Sequence, residues 1–173
     1  PSAKAAIAQL HRDGIRTVMA SGDREIVARE IAAELGIDEV HAELKPADKI
    51  AVISELKQGG NIVAMVGDGS NDAPALAESD IGIAMGRGTG IARATAGITL
   101  LRPDLLLVPT SLRLAQRTLR TIKQNLGWAF GYNIAAIPLA MSGNLNPAIA
   151  GIAMSASSVL VVSNSLRLRR VKI

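Results

Sequence analysis

Hydrophobic and polar positions follow two different rhythms along this chain. In the first hundred residues, short apolar runs sit between turn residues. Residues 15–20 and 62–66 are such runs, rich in Val, Ile, Met and Ala, and predict buried strands. Residues 40–42, 81–85 and 98–101 repeat the pattern. Between them, residues 2–12, 24–35 and 47–57 carry apolar side chains at helical spacing, with shorter helices ending at Glu78 and near 89–95. Asp13-Gly14, Gly36 and Gly59-Gly60 are stop signals, and Pro46 suits a helix start. Strands alternating with helices imply an α/β fold, a parallel sheet with helices on both faces. Functional groups in such folds lie beyond the carboxyl ends of the strands. The loops at Ser21 and Asp68 occupy two of those ends.

The rhythm then changes. Residues 104–124 form a basic amphipathic helix with Arg113, Arg117, Arg120 and Lys123, and no Asp, Glu, Lys or Arg occurs from Asn125 to Ser163. Two uncharged runs result, about 125–142 and 148–165, each near the roughly 17–25 residues that span a bilayer. The polar turn at 143–146 joins them. Basic residues precede the first run and follow the second (Arg167, Arg169, Arg170, Lys172), so both ends of this transmembrane hairpin are expected on the cytoplasmic side. A buried helical hairpin in a soluble protein is the competing explanation. The expected organisation is therefore a sheet domain over 1–103, a linker helix over 104–124 and the hairpin over 125–173.

Composition refines this division. The net charge of +4 gathers beside the apolar stretch, where it suits anionic lipid, and aromatics at 2% offer little to stack on bases. Nucleic acid is not an expected partner. With no cysteine, disulfides and thiolate metal sites are excluded within the chain. Pro1 opens directly into helix-like sequence, so the chain is expected to be part of something longer.

Three elements carry candidate chemistry. Asp68 and Asp72 lie four apart among Gly67, Gly69 and Asn71, a turn that gathers carboxylates suited to a hard cation such as Mg²⁺. Lys49 supplies a positive charge. Ser21 offers a hydroxyl, and the amide at Gly22 can face a phosphoryl oxygen. Phosphoryl transfer depends on positioning and charge neutralisation, for which these are the expected parts. Taken singly, a Ser-Gly-Asp is usually just a turn and a helix lysine is usually solvated. The glycine-rich segment 86–90 is better read as a strand-to-helix turn than as a nucleotide loop.

The run Met65-Val66-Gly67-Asp68-Gly69-Ser70-Asn71-Asp72-Ala73-Pro74-Ala75-Leu76 resembles the hinge signature of P-type ATPases, members of the haloacid dehalogenase superfamily. Ser21-Gly22-Asp23 resembles the family's Thr-Gly-Asp motif, and Pro46-Ala47-Asp48-Lys49 its Pro-x-x-Lys motif. The resemblance covers essentially the whole chain. It implies that Asp68 ligates Mg²⁺, with Asn71 and Asp72 holding the phosphate and ion site in register. It assigns Lys49 to the transferred phosphoryl group, Ser21 and Gly22 to its oxygens, and Asp23 to the turn and the docking of neighbouring domains. The family's Asp-Lys-Thr-Gly-Thr segment and ATP-binding domain do not occur in this sequence. The sheet is thus expected to want a central strand, and the segment alone is not expected to hydrolyse ATP.

Within the uncharged runs, Asn125, Tyr132 and Asn133 share roughly one side of a helix, and Met154, Ser157 and Ser158 share a face of the next. Pro138 is a candidate kink. Small residues such as Gly151 and Ala153 are equally what close helix packing requires. The spacing resembles the signature of the Cu⁺-transporting class of heavy-metal P-type ATPases. That resemblance implies a Cu⁺ (or Ag⁺) site at Tyr132, Asn133, Met154 and Ser158, with Asn125 and Pro138 structural. Relatives carrying Zn²⁺ or Cd²⁺ typically have a lysine in the first helix and an Asp-x-Gly in the second, and neither occurs here. The implied parent is an integral pump of the plasma (inner) membrane. Its partners are lipid, its own nucleotide-binding and actuator domains, its Cys-Pro-Cys helix and a copper chaperone. A membrane-anchored phosphatase of the same superfamily is the enzyme alternative, but it needs an Asp-x-Asp strand that this sequence lacks. His11 and His41 are expected to be solvated or core residues.

Overall fold

The computed structural model describes residues 2–68, 70–86, 90–142 and 147–170. The chain divides into two compact units, Pro1–Pro109 and Thr110–Ile173.

In the first unit the order is α1 (Ser2–Arg12), β1 (Val18–Ala20), α2 (Glu25–Leu35), β2 (Glu39–His41), α3 (Pro46–Gln58), β3 (Ala64–Gly67), a 3-10 turn (Ser70–Asp72), α4 (Ala73–Glu78), β4 (Ile81–Met85), α5 (Gly90–Thr95) and β5 (Ile98–Leu100). All strand pairs are parallel, as the alternation of elements requires. They form two separate sheets, β1-β2 and β3-β4-β5. The core consists largely of small side chains, with Ala28, Ala32, Ala75, Leu76, Ile83 and Ala84 almost fully buried. Alanine at these positions lets the helices sit close against the strands.

Two strands start later than the apolar runs predict, for one shared reason. The residue before β1, Thr17, gives its backbone N–H to the Asp38 carboxylate at 2.7 Å. The residue before β3, Val63, gives its own to Asp80 at 2.8 Å. Asp38 directly precedes β2 and Asp80 directly precedes β4. Each strand pair is thus clamped at its amino end by a carboxylate, and Ile62, just outside, is left exposed. Thr17, buried, also donates its hydroxyl to Asp38 at 2.9 Å, and His11 Nε2 lies 3.0 Å from the same oxygen. These contacts hold the Asp38 carboxyl below its ordinary range, the Thr17 backbone N–H foremost. Asp80 is lowered likewise, by the Val63 N–H and then by Lys57.

Helix ends follow the sequence signals. Gly36 adopts φ 77°, a left-handed cap whose N–H bonds the Ala32 carbonyl at 2.8 Å. Pro46 opens α3, and the Asp48 side chain accepts the Lys45 N–H at 2.8 Å.

The second unit holds most of α6 (Leu107–Met141), α7 (Pro147–Leu166) and a 3-10 turn (Arg167–Arg170). α6 runs for 35 residues without interruption through the expected junction between linker and hairpin, and Pro138 lies inside it. The expected turn at 143–146 and the glycine-rich residues 87–89 lie outside the described residues, as does Gly69. Among the described residues, no helix is long and apolar enough to cross a membrane. No charge interrupts residues 125–163, and Gly, Ser and Asn recur along both helices.

Candidate phosphate site and helical hairpin

The carboxyl ends of β1 and β3 border a cleft of about 360 Å³ between the two sheets. Val18, Met19 and Ala20 line one wall, Met65, Val66 and Gly67 the other, and Lys49, Asp68 and Asp72 stand in the same cleft. Parallel strands hydrogen-bond on both edges, so an apolar gap flanked by two parallel edges has the form of a missing strand.

Lys49, in the first turn of α3, reaches the 3-10 turn after β3. Its Nζ lies 2.7 Å from Asp72 Oδ1, with the two side chains only 18% and 14% exposed. Such a pair has a defined geometry, unlike a solvated surface pair. Gly67 makes the arrangement possible. A Cβ there would lie 2.8 Å from Asp72 Cβ, so only glycine lets β3 end against that side chain. Asp68 follows directly and is exposed at the cleft. Asn71 is exposed on the same turn.

The Ser21 loop is also well fixed. Ser21 N–H bonds the His41 carbonyl at 2.9 Å, and the carbonyls of Ser21 and Asp23 accept from Leu44 and Glu43. The Ser21 hydroxyl donates to Asp23 Oδ2 at 2.8 Å and accepts the Asp23 N–H at 3.1 Å. Gly22 packs so that a Cβ would lie 3.3 Å from the Leu44 carbonyl oxygen. Lys49, Asp68 and Asp72 therefore share one cleft, whereas Ser21 and Asp23 are bonded to each other and Ser21, Gly22 and Asp23 do not line it.

Two carboxylates with exposed or partly free oxygens suit a hard cation, but no cluster of three acidic or histidine side chains occurs among the described residues. Among the described residues, Asp68 and Asp72 are the carboxylates that line this cleft.

In the second unit, α6 and α7 meet through a polar clasp that the sequence did not single out. Asn125 Nδ2 donates to Ser165 Oγ at 3.0 Å, and Asn164 Nδ2 donates to Asn125 Oδ1 at 2.8 Å and, more weakly, to Gln124 Oε1 at 3.4 Å. Asn125, expected to be structural, is hydrogen-bonded to both Asn164 and Ser165. Its partners gave no motif, although Ser163, Asn164 and Ser165 form a polar triplet at the end of the second uncharged run. Met154 is 73% exposed and Tyr132 36%. Asn133 is exposed, and the Ser158 hydroxyl donates back to the Met154 carbonyl at 3.2 Å. His11 and His41 each pair with an acid, Asp38 and Glu39.

A family model described as haloacid dehalogenase-like hydrolase matches residues 1–80. A copper-exporting P-type ATPase of Mycobacterium leprae is 56% identical over 97% of this chain. One of Staphylococcus haemolyticus is 57% identical over 99%. The chain spans 22% of the length of each of these relatives. Among solved structures, a zinc-transporting PIB-type ATPase in its E2.Pi state superposes on 95% of this chain and 27% of its own. The TM-score is 0.87 and the identity 38%.

Proposed function

This chain belongs to the P-type ATPases, and from that premise we propose that it is the part of a Cu⁺-transporting pump that joins the phosphate site to the cargo site. The observation carrying the first half is the Lys49–Asp72 pair set beside Asp68 in a cleft shaped for one more parallel strand. That strand, supplied from elsewhere in the parent, brings the aspartate that accepts phosphate from ATP. Lys49 then neutralises phosphoryl charge, while Asp72 orients the lysine. Asp68 and Asp72 would hold Mg²⁺, which offsets further phosphate charge when bound. Ser21 and Gly22 close on the phosphoryl oxygens once the Ser21 hydroxyl turns from Asp23. Asp23 keeps the loop folded, and Asn71 holds the turn after β3.

The second half rests on helix register. Asn125 and Ser165 are hydrogen-bonded across the hairpin. Seven residues is about two turns, so Tyr132 and Ser158, each seven residues inward, return to the same facing sides at the same height. Met154 lies one turn beyond Ser158. Tyr132, Asn133, Met154 and Ser158 thus border one seam and offer a soft thioether with neutral oxygens, a set that suits Cu⁺ or Ag⁺. The structural neighbour transports zinc, so the second reading is a dication as cargo. Against it, residues 125–163 contain no acid to balance two charges away from water.

We further propose that the hairpin spans the membrane. An uncharged stretch from 125 to 163 and basic flanks at both ends support this, with both ends cytoplasmic. Small and polar residues on its helices then serve packing and cargo rather than lipid contact. α6, continuous from Leu107 to Met141, is suited to carry changes of state from the sheet domain to the cargo seam. Lipid, the nucleotide-binding and actuator domains, and a copper chaperone complete the proposed partners.

The full-length parent in proteoliposomes tests this reading. ATP hydrolysis should rise with Cu⁺ or Ag⁺ and not with Zn²⁺ or Cd²⁺. Stimulation by Zn²⁺ alone would overturn the assignment of cargo.

A further inference from the structure

A groove of about 480 Å³ lies between α6 and α7 at the basic end of the hairpin, lined by Trp128, Leu160, Ser163, Asn164 and Arg167. We propose that it binds one anionic phospholipid, head group at Arg167 and acyl chain along Trp128 and Leu160. The inference rests on the membrane reading above.

Its position on the helix favours lipid over protein as the occupant. At roughly 100° per residue, Leu160, Ser163 and Arg167 lie about 240°, 180° and 220° around α7 from Met154. Ser158 and Ser165 lie within about 40° of Met154 on the opposite side. The proposed cargo seam and the groove therefore use different flanks of α7, so a lipid in the groove would not compete with helices that complete the cargo site. Trp128 is 58% exposed and Leu160 49%, so both have apolar surface to cover.

Depth and charge agree with that occupant. Seven residues separate Leu160 from Arg167, about 10 Å along the axis, comparable to the interfacial layer between hydrocarbon and phosphate. With Leu160 among acyl chains, the guanidinium reaches phosphate level. Arginine's planar fork matches a phosphodiester, and the indole beside it suits the boundary between apolar and wet surroundings. Asn164 directs its amide hydrogens to Asn125 and Gln124, which leaves the Ser163 hydroxyl and the Asn164 carbonyl to meet head-group hydroxyls. Arg169 and Lys123 add positive charge nearby in sequence, but neither lines the groove.

The test uses the full-length pump in nanodiscs of phosphatidylcholine with a minority of phosphatidylglycerol, reading retained phosphatidylglycerol by native mass spectrometry. Arg167→Gln should lower occupancy about fivefold, the usual contribution of one basic residue at an anionic surface, and Arg167→Lys should restore most of it. Trp128→Leu should weaken retention less, and Arg117→Gln should leave it unchanged. Equal retention in Arg167→Gln and wild type would overturn the site. So would an equal loss in Arg117→Gln, which would mean diffuse charge attraction. Displacement by glycerol phosphate would mark a small-anion site instead. Cross-linking of a Ser163→Cys variant to another helix of the pump would put polypeptide in the groove. Extraction of the wild-type pump by alkaline carbonate would show instead that the membrane reading itself fails, and the groove proposal with it.

Discussion

The two units treat apolar surface in opposite ways. Among the described residues of Pro1–Pro109, the large apolar side chains left exposed are Ile26, Ile31, Ile62 and Leu101, while Leu76 and Ile83 are sealed among alanines. In Thr110–Ile173, exposed large apolar side chains recur along both helices, from Leu119 and Trp128 to Met154 and Leu166. Polar groups invert as well. The first unit uses charged pairs, Lys49–Asp72 above all, whereas the second joins its helices with neutral amides and hydroxyls. Charged pairs are affordable beside water. Neutral clasps are what an apolar medium permits, because an unpaired charge there is far more costly. The first unit thus carries the ion pairs that the proposed phosphate chemistry would use, and the second exposes the apolar surface that the proposed membrane setting would cover.

That contrast can be broken at several places. The largest effect is expected at the phosphate site. Asp68→Asn in the full-length pump should lower ATP-dependent phosphoenzyme formation by about 10³-fold or more, measured with labelled ATP, since a charge-stabilising group is removed. Next, Gly67→Ala forces a methyl against Asp72 and should destabilise the sheet domain by about 1–3 kcal/mol in urea denaturation. In the hairpin, Asn164→Ala should cost only about 0.6–2 kcal/mol by unfolding in detergent, the scale of one interhelical hydrogen bond. A larger loss there would make the clasp more than packing.

The smallest effect concerns the amino-end clamp. The Asp38 carboxyl is held below its ordinary 3.8 by the Thr17 N–H, the Thr17 hydroxyl and His11. A lowered folded-state value means that the carboxylate stabilises the fold above the ordinary value. That contribution is lost as pH falls through the folded-state value. Asp38→Asn should therefore lower the melting temperature by a few degrees near neutral pH, with the difference from wild type closing below about pH 3.8. A difference that persists in acid would mean that shape, not charge, sets the clamp.

Much of the fold was legible because its signals are local. Gly36, Pro46 and the apolar runs marked elements whose existence holds and whose ends move by a few residues. The strand starts at Val18 and Ala64 were not legible, because they depend on carboxylates 21 and 17 residues away in sequence. Lys49, Asp68 and Asp72 were legible as a group, since turn glycines and acids at a strand end have few structural uses. The detachment of Ser21 and Asp23 from that cleft was not, because the Ser21 hydroxyl chooses a partner two residues away. The clasp of Asn125 with Asn164 and Ser165 depends on how two helices register, which periodicity within each helix does not specify.

The central claim is that one chain couples ionic phosphate chemistry to a neutral soft-metal seam, and a paired phosphorylation assay on Met154→Ala in the full-length pump tests it most directly. Cu⁺-stimulated phosphorylation from ATP should be lost, while backward phosphorylation from inorganic phosphate, which draws on the phosphate site and the parent's aspartate but not on the cargo seam, should remain. Retained Cu⁺ stimulation, or loss of both reactions together in a protein that still folds, would contradict the account.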